Sequence, residues 1–240
     1  MNDRPRLVLL HGWGSTGRVW EPVRPALEAN YRCQIFNLPG HDDSSLSETR
    51  LEPLAAQLLQ QAREPAIWLG WSLGALIAMQ AALLMPHSVE RLLLVAGTPA
   101  FVQQDGWSSA MPLRDFADFE SDYAGHPLRT MKRFIALQSM GDRQSKQVAR
   151  QLSQSACQAT SDIGWGLVEL REGDLREQLL SLNREVNCLY GGQDTLVPAA
   201  VGETMQQAGM ASVTWPDSGH APFLSRPQDF VQWVVGATHA

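Results

Sequence analysis

Three residues of this chain could together attack an ester: Ser72, Asp194 and His220. Ser72 is the centre of Gly70-Trp71-Ser72-Leu73-Gly74, with the apolar run Ala66–Leu69 before it and a helix-forming run to Met85 after it. A serine at such a strand-to-helix corner has its hydroxyl pushed out above the sheet edge, and a side chain at either glycine would crowd the corner. The hydroxyl is a weak nucleophile until a base takes its proton, and the base needs a carboxylate to orient it. Asp194 follows the apolar run Val186–Tyr190, and His220 follows Ser212–Trp215. Each of the three thus sits just past an expected strand end, and the strand ends of one parallel sheet open on one crevice. Competing roles are a Gly-rich turn with an incidental serine at Ser72, a turn former at Asp194, and a loop histidine capping a helix near Pro227 at His220. Asp217 competes with Asp194, but three residues from His220 it is better placed to shape the turn. His41, His87, His126 and His239 have no comparable setting; His87, after Pro86 at a helix end, suits a charge partner for that end.

Acyl transfer builds negative charge on the carbonyl oxygen, so two backbone N–H groups must point at it. One is that of Leu73, the residue after the nucleophile. The other is expected from the loop His11-Gly12-Trp13-Gly14 after the apolar strand Leu7–Leu10, with the N–H of Trp13 as donor. His11 precedes Ser72, the wrong order for the base, and is expected to brace this loop by hydrogen bonds. Trp13, Trp71, Trp107, Phe134 and Trp165 are candidate walls for an acyl pocket, whereas Trp68, inside a strand, reads as core.

These groups need a scaffold of alternating strands and helices. Strands are expected at Leu7–Leu10, Cys33–Asn37, Ala66–Gly70, Arg91–Ala96, Val186–Tyr190 and Ser212–Trp215. Helices are expected around Pro22–Glu28, Leu51–Gln61, Leu73–Met85, Ala199–Ala208 and Arg226–Val235. That order implies an α/β class with a mostly parallel sheet covered on both faces. The alternation breaks between about Trp107 and Arg184, where the patterns are helical. The expected organisation is a core of residues 1–106 and 185–240, with residues 107–184 as a helical cap over the strand ends.

Composition bounds the function. The 240 residues are 44% hydrophobic and 18% charged, an ordinary globular balance for one substantial core. A net charge of −6 argues against nucleic acid as a partner. Cys33, Cys157 and Cys188 are widely spaced, form no metal-binding pattern and suit a reducing compartment. The apolar run after Arg6 is too short for a signal peptide, and no run approaches a membrane span. The expectation is a cytoplasmic monomer with no membrane partner.

The motifs His11-Gly12-Trp13-Gly14, Leu38-Pro39-Gly40-His41, Gly70-Trp71-Ser72-Leu73-Gly74, Gly192-Gln193-Asp194 and Gly219-His220, in this order along nearly the whole chain, resemble those of the α/β-hydrolase family. The likeness is closer to the carboxylesterases of biotin synthesis, through Leu9–Gly14, Ala66–Gly74, Arg133–Gly141 and His220–Phe223. It implies hydrolysis of pimeloyl-acyl-carrier-protein methyl ester to methanol and the free acid by Ser72, Asp194 and His220. It also implies Trp13, Leu73 and Phe134 as substrate-binding residues, and no metal or organic cofactor. Three departures stand out. One or two edge strands common in the family are missing before Leu7, Ala75 stands where relatives often have a third glycine, and His41-Asp42-Asp43-Ser44 replaces a Gly-rich loop.

Between His126 and Leu152 lie Arg129, Lys132, Arg133, Arg143, Lys146 and Arg150 against one acid, Asp142. Arg129 and Arg133 are four apart, as are Lys146 and Arg150, so each pair shares a helix face. Met131, Phe134, Ile135, Val148 and Leu152 can then face the core. On charge alone the face is either solvated or a steering surface. The resemblance implies that Arg129, Arg133, Lys146 and Arg150 dock an acidic acyl carrier protein, with Lys146 replacing an expected arginine and so losing its bidentate fork. Three other readings stay open: a generalist short-chain carboxylesterase, a menaquinone-pathway lyase of the same fold, and a non-catalytic binding protein built on a hydrolase.

Overall fold

Leu7–Leu10, Ala66–Trp71 and Leu92–Val95 are buried at every residue, as strands covered on both faces must be. In the computed structural model, which describes residues 4–158, 161–180, 182 and 185–239, these runs lie in a six-stranded parallel sheet. Its strands are β1 (Arg6–Leu10), β2 (Arg32–Phe36), β3 (Ala66–Trp71), β4 (Val89–Val95), β5 (Val186–Gly191) and β6 (Ala211–Trp215), in the order β2-β1-β3-β4-β5-β6. Ser72, Asp194 and His220 follow β3, β5 and β6, all at the same end of the sheet.

Alternation along the strands divides the core in two. Val8, Leu10, Trp68, Leu92 and Leu94 pack with α2 (Leu51–Ala62) and α3 (Leu73–Leu84). Leu7, Leu9, Leu69, Leu93 and Val95 point the other way, toward α1 (Arg24–Glu28), Trp20, and Phe230 and Val234 of the C-terminal helix. The expected elements are all present, with ends displaced by a few residues. The expected helix 226–235 is Pro227–His239, preceded by a separate turn, Pro222–Ser225. β2 is an outer strand of the sheet.

Between β4 and β5 the chain forms α4 (Leu113–Gly125), α5 (Pro127–Ser139), α6 (Ser145–Ser155), α7 (Gly164–Glu172) and α8 (Arg176–Leu179). After β5 come α9 (Ala199–Gln207), α10 (Pro222–Ser225) and α11 (Pro227–His239). α4 packs on α5 and α7, α5 on α6, and α6 on α10. Met131 and Phe134 of α5 join the core that contains α3, while Val148 and Leu152 of α6 join the opposite one. No helix among the described residues is long and apolar enough to cross a membrane.

One buried carboxylate fastens this helical segment to the sheet domain. Glu169 of α7, 4% exposed, accepts the N–H of Leu51 at 2.9 Å, the first residue of α2. Its other oxygen lies 3.1 Å from Arg50 Nε. α2 has no capping side chain of its own, so Glu169 supplies the cap from a distant element. Glu169→Ala leaves that N–H unpaired and should cost about 2 kcal/mol. In a chain of this size that corresponds to a fall in Tm of roughly 4–8 °C, with Glu169→Gln losing less. Thermal unfolding followed by circular dichroism checks this; an unchanged Tm in the alanine variant would mean that the cap contributes nothing.

Candidate active site

Ser72 adopts φ +56° and ψ −118°, a backbone conformation that costs a non-glycine residue about 1–3 kcal/mol. Its surroundings hold it there. Its N–H donates to Val95 O at 3.0 Å, and its carbonyl accepts from Ala75 N at 2.9 Å and Leu76 N at 3.3 Å. The packing tolerates no side chain at the flanking glycines. A Cβ on Gly70 would lie 2.2 Å from Gly74 O, and one on Gly74 would lie 2.4 Å from Leu10 O. Ala75 fits in place of a third glycine because Gly97 faces it, where a Cβ would come within 2.5 Å of the Ala75 methyl.

His220 is buried and its Nδ1 is 2.7 Å from Asp194 Oδ2. Asp194 Oδ1 accepts the N–H groups of Leu196 at 2.8 Å and Val197 at 3.0 Å. The carboxylate is therefore held by its own loop while it orients the imidazole. With Nδ1–H donated to Asp194, Nε2 carries the lone pair. Among the described residues this buried Nε2 has no hydrogen-bond partner, so it is not bonded to Ser72 Oγ in the free protein. Triad hydrogen bonds are often long until substrate is bound. The His220 backbone is fixed as well. Its N–H donates to Gln138 O at 3.1 Å, and its carbonyl accepts Trp71 Nε1–H at 2.8 Å.

Asp217 lies elsewhere. It is paired with Arg143 at 3.1 Å and Arg226 at 3.6 Å, and the Arg143 hydrogen bond holds its carboxyl below the usual range.

A cavity of about 310 Å³ reaches Ser72. Its walls include Trp13, Phe134, Phe116, Phe119, Leu167 and Leu196, with Asp115, Asp118 and Arg133 as its charged groups. Trp13 meets Phe119, Tyr123 and Phe134 edge-on at 5.0–5.6 Å, and its Nε1 donates to Ile163 O at 2.8 Å. Three of the five expected wall residues are not there. Trp71 lies beneath the His220 loop, Trp107 donates to Ala100 O and Trp165 donates to Pro39 O. Each of these three indoles donates to a backbone carbonyl outside the cavity, which holds its ring there. Leu73, expected to bind substrate, is buried and its side chain is not among the cavity's walls. Phe116 and Phe119 line the cavity as well, and the three- and four-residue spacing of Phe116, Phe119 and Tyr123 marks one buried face of α4.

The loop after β1 runs close to Ser72. A Cβ on Gly12 would lie 3.2 Å from Ser72 Cβ. Among the described residues, neither the Trp13 nor the Leu73 N–H is donated to another backbone carbonyl. Two neutral histidines brace this loop. His11 Nδ1 donates to Gly12 O at 2.8 Å and its Nε2 accepts Leu38 N–H at 3.0 Å. His41 Nδ1 donates to Pro39 O at 2.9 Å and its Nε2 accepts Gly14 N–H at 3.3 Å. The rings are 5.0 Å apart. Burial, reinforced at His11 by the neighbouring His41, lowers their pKa values to about 3 for His11 and about 4 for His41.

The basic face is partly neutralised. Arg133 pairs with Asp122 of α4 at 2.8 Å, and Arg129 approaches the same carboxylate at 4.0 Å. Among the described residues Lys146 and Arg150 have no acidic partner. Among the described residues no three His, Cys, Asp or Glu side chains gather as metal ligands.

The model of a family described as the alpha/beta hydrolase family matches residues 7–233. The chain is 38% identical over 241 aligned positions to a pimeloyl-[acyl-carrier protein] methyl ester esterase of Pectobacterium carotovorum subsp. carotovorum, covering 98% of this chain and 94% of that protein. It is 38% identical over 233 positions to the protein of the same name from Photobacterium profundum, covering 94% and 91%. Among solved structures, an esterase from Exiguobacterium antarcticum matches with a TM-score of 0.85 at 21% identity, covering 100% of this chain and 94% of that one. At that identity it speaks to the fold alone.

The two bracing histidines give stability a pH dependence. The unfolded chain protonates them below about pH 6.5, whereas the folded protein refuses the protons until about pH 4 and 3. Stability is thus complete above pH 6.5 and falls as pH drops below it, by up to about 3 kcal/mol per pH unit for the pair. His41→Gln, which removes one titrating group, should roughly halve the slope between pH 6.5 and 5. Urea unfolding at several pH values measures it, and an unchanged slope would assign the acid sensitivity to other groups.

Proposed function

The chain belongs to the alpha/beta hydrolase family, and from this we propose that it hydrolyses the methyl ester of pimeloyl-acyl-carrier protein with Ser72 as nucleophile. The observation that carries the chemistry is the buried Asp194–His220 pair with Nε2 left open, at the same sheet end as a serine on a strained corner. Ser72 Oγ attacks the ester carbonyl as His220 Nε2 takes its proton, and Asp194 stabilises the imidazolium. The N–H groups of Trp13 and Leu73 receive the oxyanion. The tetrahedral intermediate collapses, His220 returns the proton to the departing methoxide, and methanol leaves. Water then attacks the acyl-serine, His220 takes its proton and gives it to Ser72 Oγ, and the free acid departs on its carrier. No step requires a metal or organic cofactor. Residues 1–106 and 185–240 serve as the hydrolase core and 107–184 as a cap over it.

The apolar cavity walls suit an acyl chain, and Arg129, Arg133, Lys146 and Arg150 on α5 and α6 suit an acidic carrier waiting outside. A lyase acting on an aromatic dicarboxylate fits less well, because two carboxylates and one guanidinium are the charged groups of the cavity. A generalist short-chain esterase is favoured by one observation, the pairing of Arg129 and Arg133 with Asp122. The three free cysteines accord with a reducing cytoplasm, where the enzyme acts as a monomer. The direct test is genetic: the gene should restore growth without biotin to a strain lacking its own pimeloyl ester esterase.

Ser72→Ala should lower turnover by on the order of a millionfold with the fold intact. Asp194→Asn should cost about four orders of magnitude, and Asp217→Asn little. Methanol release from a methyl ester measures all three, and interchanged effects at 194 and 217 would move the acid to Asp217. Reversing the unpaired cations, Lys146→Glu with Arg150→Glu, should raise KM for the carrier-linked ester about tenfold, an effect that added salt mimics. Hydrolysis of a small uncharged ester should be unchanged. No loss on the carrier-linked ester would make the generalist esterase the better reading.

A further inference from the structure

Asp142 is the single acid among the cations of the 126–152 segment, and it is 5% exposed. It sits in the turn between α5 and α6, and both its oxygens are engaged. Oδ1 accepts Gln144 N–H at 2.7 Å within the turn, and Oδ2 accepts Gly219 N–H at 2.8 Å. The next N–H along, that of His220, donates to Gln138 O in the last turn of α5. Two successive backbone donors of the His220 loop are therefore received by the end of α5 and the turn that follows it. Arg143 extends the seam, its N–H bonded to Asp217 O and its guanidinium to the Asp217 carboxylate. On the Asp194 side, Thr195 Oγ1 donates to Leu137 O at 3.2 Å, and a Cβ on Gly141 would lie 2.8 Å from Gln193 Cβ.

We infer that Asp142 is a positioning residue for the base: its carboxylate anchors the Gly219–His220 backbone so that Nε2 faces the serine. This rests on the reading of Ser72, Asp194 and His220 as the triad. A carboxylate taken out of water must be fully hydrogen-bonded, and charge-assisted bonds to backbone N–H groups are the strong ones. Spending one oxygen on its own turn and the other on the histidine loop makes Asp142 a rigid strut between the two. Asp142 is not among the cavity's walls, so its effect passes through His220. The alternative, a carboxylate that only caps α6, would alter stability and leave turnover alone.

The test uses Asp142→Ala, Asp142→Asn and Gly219→Ala, with His220→Ala as the control. Gly219→Ala opens the same seam from the other side, because its Cβ would lie 3.0 Å from Gln138 O and 3.4 Å from Asp142 Cβ. With p-nitrophenyl butyrate, well below the melting temperature, Asp142→Ala and Gly219→Ala should each lower kcat about tenfold or more. KM should stay within about threefold, and phosphonylation of Ser72 by a fluorophosphonate should slow in parallel with kcat. Asp142→Asn, which keeps one acceptor for Gly219, should recover most of the loss. If Asp142→Ala does not fold, Asp142→Asn and Gly219→Ala carry the measurement. Inert His220→Ala beside a folded Asp142→Ala or Gly219→Ala with wild-type kcat overturns this inference and leaves the triad standing. A loss confined to KM, or one shared equally by Asn and Ala, overturns it too. Full activity in His220→Ala removes the triad reading itself, and the inference with it.

Discussion

One backbone conformation governs the arrangement of this protein. For Ser72 to stand above the sheet, the chain must leave β3 and enter α3 within a single residue, at φ +56°. That turn is possible only if the neighbouring backbone comes close, which is why Gly74 lies against the end of β1 and Gly70 against Gly74. It also requires β3 to be flanked on both sides, since Val95 of β4 receives the Ser72 N–H. The strain, about 1–3 kcal/mol, is offset by the burial of β3 and α3 around it, the most continuous apolar stretch in the chain. The loop after β1 can then approach the serine closely.

Much of this was legible in the sequence because it is local. A glycine-flanked serine, an Asp and a His each past an apolar run, and a strand-loop-glycine start are spacing patterns, and β1, β3 and β5 repeat them faithfully. What the sequence hid is what depends on tertiary partners. Trp71, Trp107 and Trp165 looked like cavity walls, but their direction was decided by carbonyls elsewhere in the fold. The basic face looked unopposed because Asp122 lies on the preceding helix, outside the window that held the cations. His11 and His41 carry no sign in the sequence that they share one buried niche, and that niche decides their protonation.

The helical segment does more than lie across the sheet. Its α5 supplies Phe134 to the cavity on one side, receives the His220 N–H through Gln138, and turns Arg129 and Arg133 toward Asp122. A cavity wall, a bond to the His220 backbone and surface charge are thus carried by one helix and the turn after it. Changes in this helix made for one purpose are bound to be felt in the others, which is the condition under which single-site effects stop adding.

The order of the elements has a consequence for how the molecule is made. β1 to β4 are close in sequence and lead to Ser72, whereas β5 and β6, which lead to Asp194 and His220, join the sheet only after residues 96–185 have been spanned. Pairings across so long an interval are slow to form, because the loop must be closed before the contact rewards it. A chain emerging from its N-terminus therefore has Ser72, the proposed nucleophile, in place long before Asp194 and His220 can join it. On the proposed triad, the nascent chain stays unreactive until the last strand and the loop after it arrive.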